Sequence, residues 1–237
     1  MERKILQVFF VREVKSGAIK SSPVAQVSLL KQNRDEAGRK RAFTMDELRL
    51  ISQKAPDEFW SYAICAGFYT GQRLGDIVSL NWGSVDLEQG VLRLTQGKTN
   101  RAVMIPLRPA LRAILASLRA KSGKVKPSDA VFPEHAERYR LRGSGPFSKD
   151  FYELLTTCGL VPARLSSTKK EQAGKRTASP VSFHSLRHTF ITLLKATGGS
   201  QATAKELAGH GSDRMSDLYT HTDTAALVNA IANLPEL

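Results

Sequence analysis

The chain has 237 residues, 41% of them hydrophobic and 24% charged, enough to bury a sizeable core and too apolar for a disordered chain. Lys and Arg number 35 against 22 Asp and Glu, a net charge of +13; such an excess attracts polyanions, nucleic acid first, with simple solubility as the bland alternative. Two distant cysteines, Cys65 and Cys158, exclude a CxxC zinc site and read as buried small hydrophobes, and no apolar run approaches the roughly 20 residues of a membrane span.

The start, MERKILQVFFVREVKSG, has charges inside its apolar part and argues against a secretory signal. Residues 1–18 pattern as an amphipathic helix ending at Gly17, and residues 21–41 as an extended basic linker interrupted by Pro23. This segment is too short for a domain and resembles the last helix of something larger. Thr44 with Glu47 forms a capping box for a helix through about Lys54, so the main domain is expected over 42–237. The apolar stretch DEFWSYAICAGFYTG predicts a helix stopped at Gly71, and RLGDIVSLNW a further short one. GVLRLTQ and RAVMIPL are strand-like runs around the turn GKTN, a β-hairpin.

Helices are expected at 109–120 and 148–158, the latter with Ser148 as N-cap and Gly159 just past its end. The loop 161–181 is long, polar and basic, a length that usually marks function or mobility. Beyond it, HSLRHTFITLLKATGG predicts a helix with apolar positions at 186, 190, 193 and 194. Short helices follow at 200–209 and 212–220, then an amphipathic one at 224–234. The whole reads as an α+β domain, mostly helical, with one small sheet.

Taken singly, the polar motifs are ambiguous. His184, Arg187 and His188 stand at i, i+3 and i+4, able to share one face at a helix start, where anions are attracted. Arginine adds a planar fork for phosphate oxygens; a capping histidine and a surface ion pair would look the same. Arg73 opens a helix with Asp76 one turn on, the spacing of a surface ion pair, and Lys98 sits in a turn where lysines are ordinarily solvated. LAGHGSDRMSDLYTH holds His210, Tyr219 and His221, compatible with a metal site, a surface tyrosine or a nucleophile.

In order, however, Arg73, Lys98, His184-x-x-Arg187, Gly209-His210 and Tyr219 resemble the signature of the tyrosine recombinases, the phage-integrase family. TGQRLGDIVSLNW resembles the first arginine box, GKTNRAVMIPL the lysine hairpin, HSLRHTF the second box, and LAGHGSDRMSDLYTH the third. The match covers about residues 42–237 and implies an integrase-type catalytic domain with a small β-sheet or hairpin. It implies a site-specific recombinase that cuts and rejoins DNA through a covalent 3′-phosphotyrosine, with neither metal, ATP nor other cofactor.

The chemistry makes sense of that set. Tyrosine is a weak nucleophile at neutral pH, its unperturbed pKa being about 10. Phosphoryl-type transfer depends chiefly on positioning and charge stabilisation. By the resemblance, Tyr219 attacks, Arg73 and Arg187 clamp the nonbridging oxygens, and Lys98 protonates the departing 5′-oxygen. His184 accepts or orients the tyrosine proton and His210 hydrogen-bonds the phosphate. Asp76 orients its neighbours, and His188 is expected to be a packed structural residue; His221 reads as a surface or capping residue. Lys169, Lys170, Lys175 and Arg176 are expected to touch the DNA backbone.

Relatives of this kind carry a helical core-binding domain before the catalytic one, of which residues 1–41 resemble the final helix plus a basic linker. The resemblance further implies double-stranded DNA as partner, a tetramer on paired sites, accessory DNA-bending proteins, no membrane, and a cytoplasmic, nucleoid-associated protein of bacterial or phage origin. The helix at 224–234 has two available partners through Leu227, Ile231 and Leu234: a neighbouring protomer or its own domain. The competing functional readings are a type IB topoisomerase and a DNA-binding module without activity.

Overall fold

The computed structural model describes residues 2–24, 40–163, 179–197 and 224–237. The short helices expected at 200–209 and 212–220, with His210, Tyr219 and His221, lie outside these residues. So do Lys169, Lys170, Lys175 and Arg176 in the basic loop. The chain divides into two compact units, Met1–Glu36 and Ala37–Leu237. In the first, helix α1 (Glu2–Lys15) is followed by a turn at Gly17, which takes a positive φ of 75°. Leu6, Val8 and Phe9 are exposed on it.

The second unit is organised around α3 (Glu58–Thr70). Asp57 caps its start, accepting from the Trp60 amide at 2.7 Å. Its apolar residues occupy every side of the helix, which is the pattern of an element buried all round. Against it pack α2 (Met45–Gln53), α4 (Leu74–Val78), α5 (Pro109–Lys121) and α8 (Phe183–Ala196). The capping box holds α2 as expected. Thr44 Oγ1 accepts from Glu47 N at 3.2 Å, and Glu47 Oε2 accepts from Thr44 N at 2.9 Å. Arg41 grips the same carboxylate with both guanidinium nitrogens, at 2.7 and 2.6 Å.

After α4 and a 3-10 turn (Trp82–Ser84) comes a three-stranded antiparallel sheet in the order β1-β2-β3. Strands β2 (Val91–Gln96) and β3 (Arg101–Pro106) are the expected hairpin, with Gln96 paired to Arg101 beside the turn. Asn100 closes that turn at a φ of 51°, a left-handed conformation that asparagine tolerates. The strand β1 (Val85–Asp86) was not expected from the sequence, being only two residues long.

Two further differences fall between α5 and α8. Residues 133–142 form helix α6 (Pro133–Arg142), for which no element was expected. It buries no residue fully, so it has no apolar stripe to betray it; its marks are only Pro133 at the start and arginines at the end. The helix expected at 148–158 is α7 (Gly145–Thr157), beginning three residues earlier. Ser144 rather than Ser148 holds the N-cap position, and Ser148 N donates to Ser144 O at 2.9 Å as part of the first helical turn. The C-terminal expectation is met, with Gly159 in the left-handed region just past the cap. Of the cysteines, Cys65 is buried as expected and burial pushes its thiol up to about 12, whereas Cys158 is only half-buried.

The last helix, α9 (Thr224–Ala232), packs against β3 of its own domain. Ile231 and Leu234 are buried in the common core. Arg108 caps the helix end by donating to the Ala232 and Leu234 carbonyls at 2.5 and 2.8 Å, the favourable place for a cation at a helix C-terminus. Within the single chain this helix lies on its own domain.

Gly71 ends α3 at a φ of 63°, and any Cβ there would fall inside the van der Waals contact of the Phe190 ring from α8. Gly71→Ala therefore adds a left-handed penalty to an overpacked core, and is expected to lower unfolding free energy by about 2–4 kcal/mol. Urea denaturation checks this; a loss under about 0.5 kcal/mol, the scale of a neutral surface change, would contradict it.

Candidate active site

The site begins at the C-terminus of α3, where the last carbonyls of a helix have no partner inside it. Arg187 reaches across from α8 and donates from Nη1 to the Gly71 carbonyl at 2.8 Å. The close contact of α3 with α8 permits this, since Gly67 and Gly71 face Leu186, Phe183 and Phe190 where side chains would collide. Two residues beyond Gly71, Arg73 occupies the N-cap position of α4. Chain termination of one helix and initiation of the next thus present Arg73 beside the carbonyl that holds Arg187.

Arg187 is only 1% exposed. Burial, together with the nearby positive charge of Arg73, pulls its pKa down to about 10, against a smaller opposing effect of Asp76. Arg73, less buried, donates from Nη1 to Gln96 Oε1 at 3.1 Å. Asp76 turns one oxygen to the Gly97 amide at 2.9 Å. Its other oxygen lies 3.9 Å from Arg73 Nη1, an ion pair without a hydrogen bond. The acidic residue therefore ties α4 to the hairpin turn that carries Lys98.

Arg73, Asp76 and exposed Lys98 line one open cleft of about 850 Å³, with Arg93, Tyr139 and Asn81 on its other walls. The Tyr139 hydroxyl lies so close over Gly75 that a Cβ there would strike it, which brings α6 to the cleft's edge. Neither Tyr139 nor Gln96 was singled out from the sequence. A signal for Gln96 exists in the alternation of β2, where Leu92, Leu94 and Gln96 share a face and the last is a polar residue with 0% exposure.

The second box behaves differently from its spacing. Helix α8 starts one residue early, at Phe183, where Ser182 N donates to Ser185 Oγ at 3.1 Å. Arg187 turns into the interior while His184 and His188 stay exposed, so the three do not present one common surface. His188 is not packed in the core as expected. Its ring meets that of His184 edge-on, with centroids 4.9 Å apart. Partial desolvation and the Arg187 charge hold its pKa below the ordinary value of 6.5, favouring the neutral ring.

A guanidinium buried beside a second cation carries a cost that an apolar side chain would not. Arg187→Met is accordingly expected to keep or raise the melting temperature near neutral pH. The sign follows from the pKa: a native value near 10 against an ordinary 12.5 puts the cost in full below pH 10 and relieves it as pH rises further. A melting temperature well below the parent's would mean that the Gly71 contact outweighs the desolvation.

The sequence profile of the phage integrase family matches residues 41–226. The tyrosine recombinase XerD of Bifidobacterium longum (strain NCC 2705) is 30% identical over 164 residues, covering 68% of this chain and 49% of that protein. The chain thus spans about half the length of that relative. A lambda integrase dimer bound to a COC′ core site superposes with a TM-score of 0.62 at 25% identity, over 92% of this chain and 57% of that one. A lambda integrase tetramer bound to a Holliday junction gives 0.64 at 22% identity, over 99% and 59%. The mostly helical fold with its small antiparallel sheet is the integrase catalytic fold. The chain belongs to the phage integrase family.

Proposed function

We propose that this chain is a tyrosine-type site-specific DNA recombinase, with residues 42–237 as its catalytic domain and residues 1–41 as the end of a core-binding domain and its linker. The observation that carries the reading is the convergence of Arg73, Arg187 and the Lys98 turn at the end of α3. A buried Arg187 whose proton affinity is lowered by burial and by the neighbouring Arg73 charge is a poor structural choice and a good anion receptor. The substrate is double-stranded DNA, which suits the charge of +13. Lys169, Lys170, Lys175 and Arg176 of the basic loop add contacts to its backbone.

In this mechanism the Tyr219 oxygen attacks the phosphorus, forming a 3′-phosphotyrosyl bond as the bond from phosphorus to the 5′-oxygen breaks. His184 takes the phenolic proton. Lys98 gives a proton to the departing 5′-oxygen, so that a poor alkoxide leaves as an alcohol. Arg73 and Arg187 bind the nonbridging oxygens, where charge accumulates, and His210 donates to one of them. With 1% of its surface exposed, Arg187 meets a phosphate only once its cover is displaced. Asp76 and His188 support this constellation through Gly97 and His184 respectively. Religation to a second strand reverses the steps, and the guanidinium pair supplies the electrostatic stabilisation without metal or ATP.

Four protomers would act on paired sites, a reading supported by the lambda integrase tetramer on a Holliday junction. Accessory DNA-bending proteins, a cytoplasmic location and association with the nucleoid belong to the same reading. A type IB topoisomerase would use the same groups without partner sites, and no observation favours it.

A nicked suicide duplex, carrying a site that the protein selects from a random pool, tests the reading. A covalent adduct is expected with EDTA present and is expected to vanish in Tyr219→Phe; an adduct that needs a divalent metal or survives that substitution would overturn the mechanism. Lys98→Ala is expected to slow cleavage by about 100-fold or more. Replacing the leaving 5′-oxygen by sulfur, which needs no proton, is expected to restore it. Failure of sulfur to rescue would remove Lys98 from the role of acid.

A further inference from the structure

We propose that Gln96 is a positioning residue that fastens Arg73 and the Lys98 turn to the end of α3, and so sets the geometry of strand cleavage. The inference rests on the recombinase reading given above. Gln96 is fully buried at the end of β2, yet it is a neutral amide among apolar neighbours on its own strand face. Its oxygen accepts from Arg73 Nη1 at 3.1 Å and from Thr99 Oγ1 at 2.9 Å. Its nitrogen donates to Gln72 Oε1 at 2.5 Å, and Gln72 Nε2 donates in turn to the Thr70 carbonyl at 3.0 Å.

The direction of this relay is fixed by chemistry. A guanidinium only donates, so the amide oxygen must face Arg73, which leaves the amide nitrogen for Gln72. Gln72 then has to turn its own nitrogen to Thr70. Amides aligned in this way polarise one another, and the chain ends on a carbonyl at the negative end of a helix. Thr70 and Gly71 are consecutive, so Arg187 is held directly by one carbonyl and Arg73, through two amides, by the carbonyl before it.

The same oxygen also explains how the lysine turn is set. Thr99 follows Lys98, and Gly97, which precedes it, donates to Asp76. Lys98 is thereby bracketed by two bonds running to α4 and to the Arg73 acceptor. A leucine at position 96 would fill the volume while removing the acceptor. Of these side-chain contacts, Arg73 and the turn would then keep only those to Asp76, and a shift of about an ångström costs about 100-fold in a positioned reaction.

Single-turnover cleavage of the suicide duplex by the full chain, with oxygen or sulfur as leaving atom, tests this alongside DNA affinity and melting temperature. Gln96→Leu is expected to slow cleavage by about 100-fold while the Kd for the duplex stays within about threefold, and sulfur is expected to recover only the part due to Lys98. Thr99→Val, in an exposed turn, is expected to slow cleavage several-fold and to be rescued fully by sulfur. Parent-like cleavage in Gln96→Leu, or a rate that falls only in step with DNA affinity, overturns the proposal. If Gln96→Leu does not fold, Thr99→Val decides: cleavage at the parent rate, or a loss that sulfur does not rescue, overturns it.

A parent chain with no Tyr219-dependent adduct would overturn the recombinase reading instead. The Gln96 contacts are then read from the Arg73 side-chain NH signals in nitrogen-15 spectra. These are expected to lose exchange protection in Gln96→Leu and to keep it in Thr99→Val. Unchanged protection in Gln96→Leu would overturn the positioning role.

Discussion

The site depends on the left-handed exit of the chain from α3 at Gly71. A helix end leaves carbonyls to be satisfied, and here two consecutive ones become the anchors of two arginines that are far apart in sequence. The glycine is needed twice over, for its positive φ and for the absence of a side chain against Phe190. Because α3 is buried all round, its end cannot drift relative to the core. Rigidity in the middle of the domain is thus transferred to the charged groups anchored at the end of α3.

Those charges are not arranged for stability. An arginine with 1% exposure, its pKa depressed by burial and by a neighbouring arginine, is an electrostatic liability in the unliganded domain. The buried amides Gln96 and Gln72 are a second departure from an apolar core. Both converge on the end of α3, through the Gly71 and Thr70 carbonyls, and functional sites are where such departures collect.

Much of this could be read from the residues. The Thr44 box, the stop at Gly71, the hairpin around GKTN and the helix that carries Arg187 all rest on strong local signals, and each is present. Helix α6 was illegible because periodicity reports burial, and this helix buries nothing fully. Ser148 has the composition of a cap, yet the helix starts earlier and Ser144 takes the N-cap position without a side-chain bond to mark it. The i, i+3, i+4 spacing brought His184, Arg187 and His188 near one another. It could not say that Arg187 would turn inward to a carbonyl more than a hundred positions earlier in the chain. The Gln96 relay is likewise a product of tertiary contact, with a lone polar residue on an inward strand face as its one trace.

The seat of α9 has a consequence for the sheet. Strand β3 is one of the two outer strands of the sheet, and α9 packs on it. An outer strand offers unpaired backbone groups to any other extended chain. If α9 leaves, β3 loses that contact in the same event that bares Ile231 and Leu234. Loss of α9 would thus bare apolar surface beside an open strand, and the Arg108 bonds to the Ala232 and Leu234 carbonyls oppose that loss.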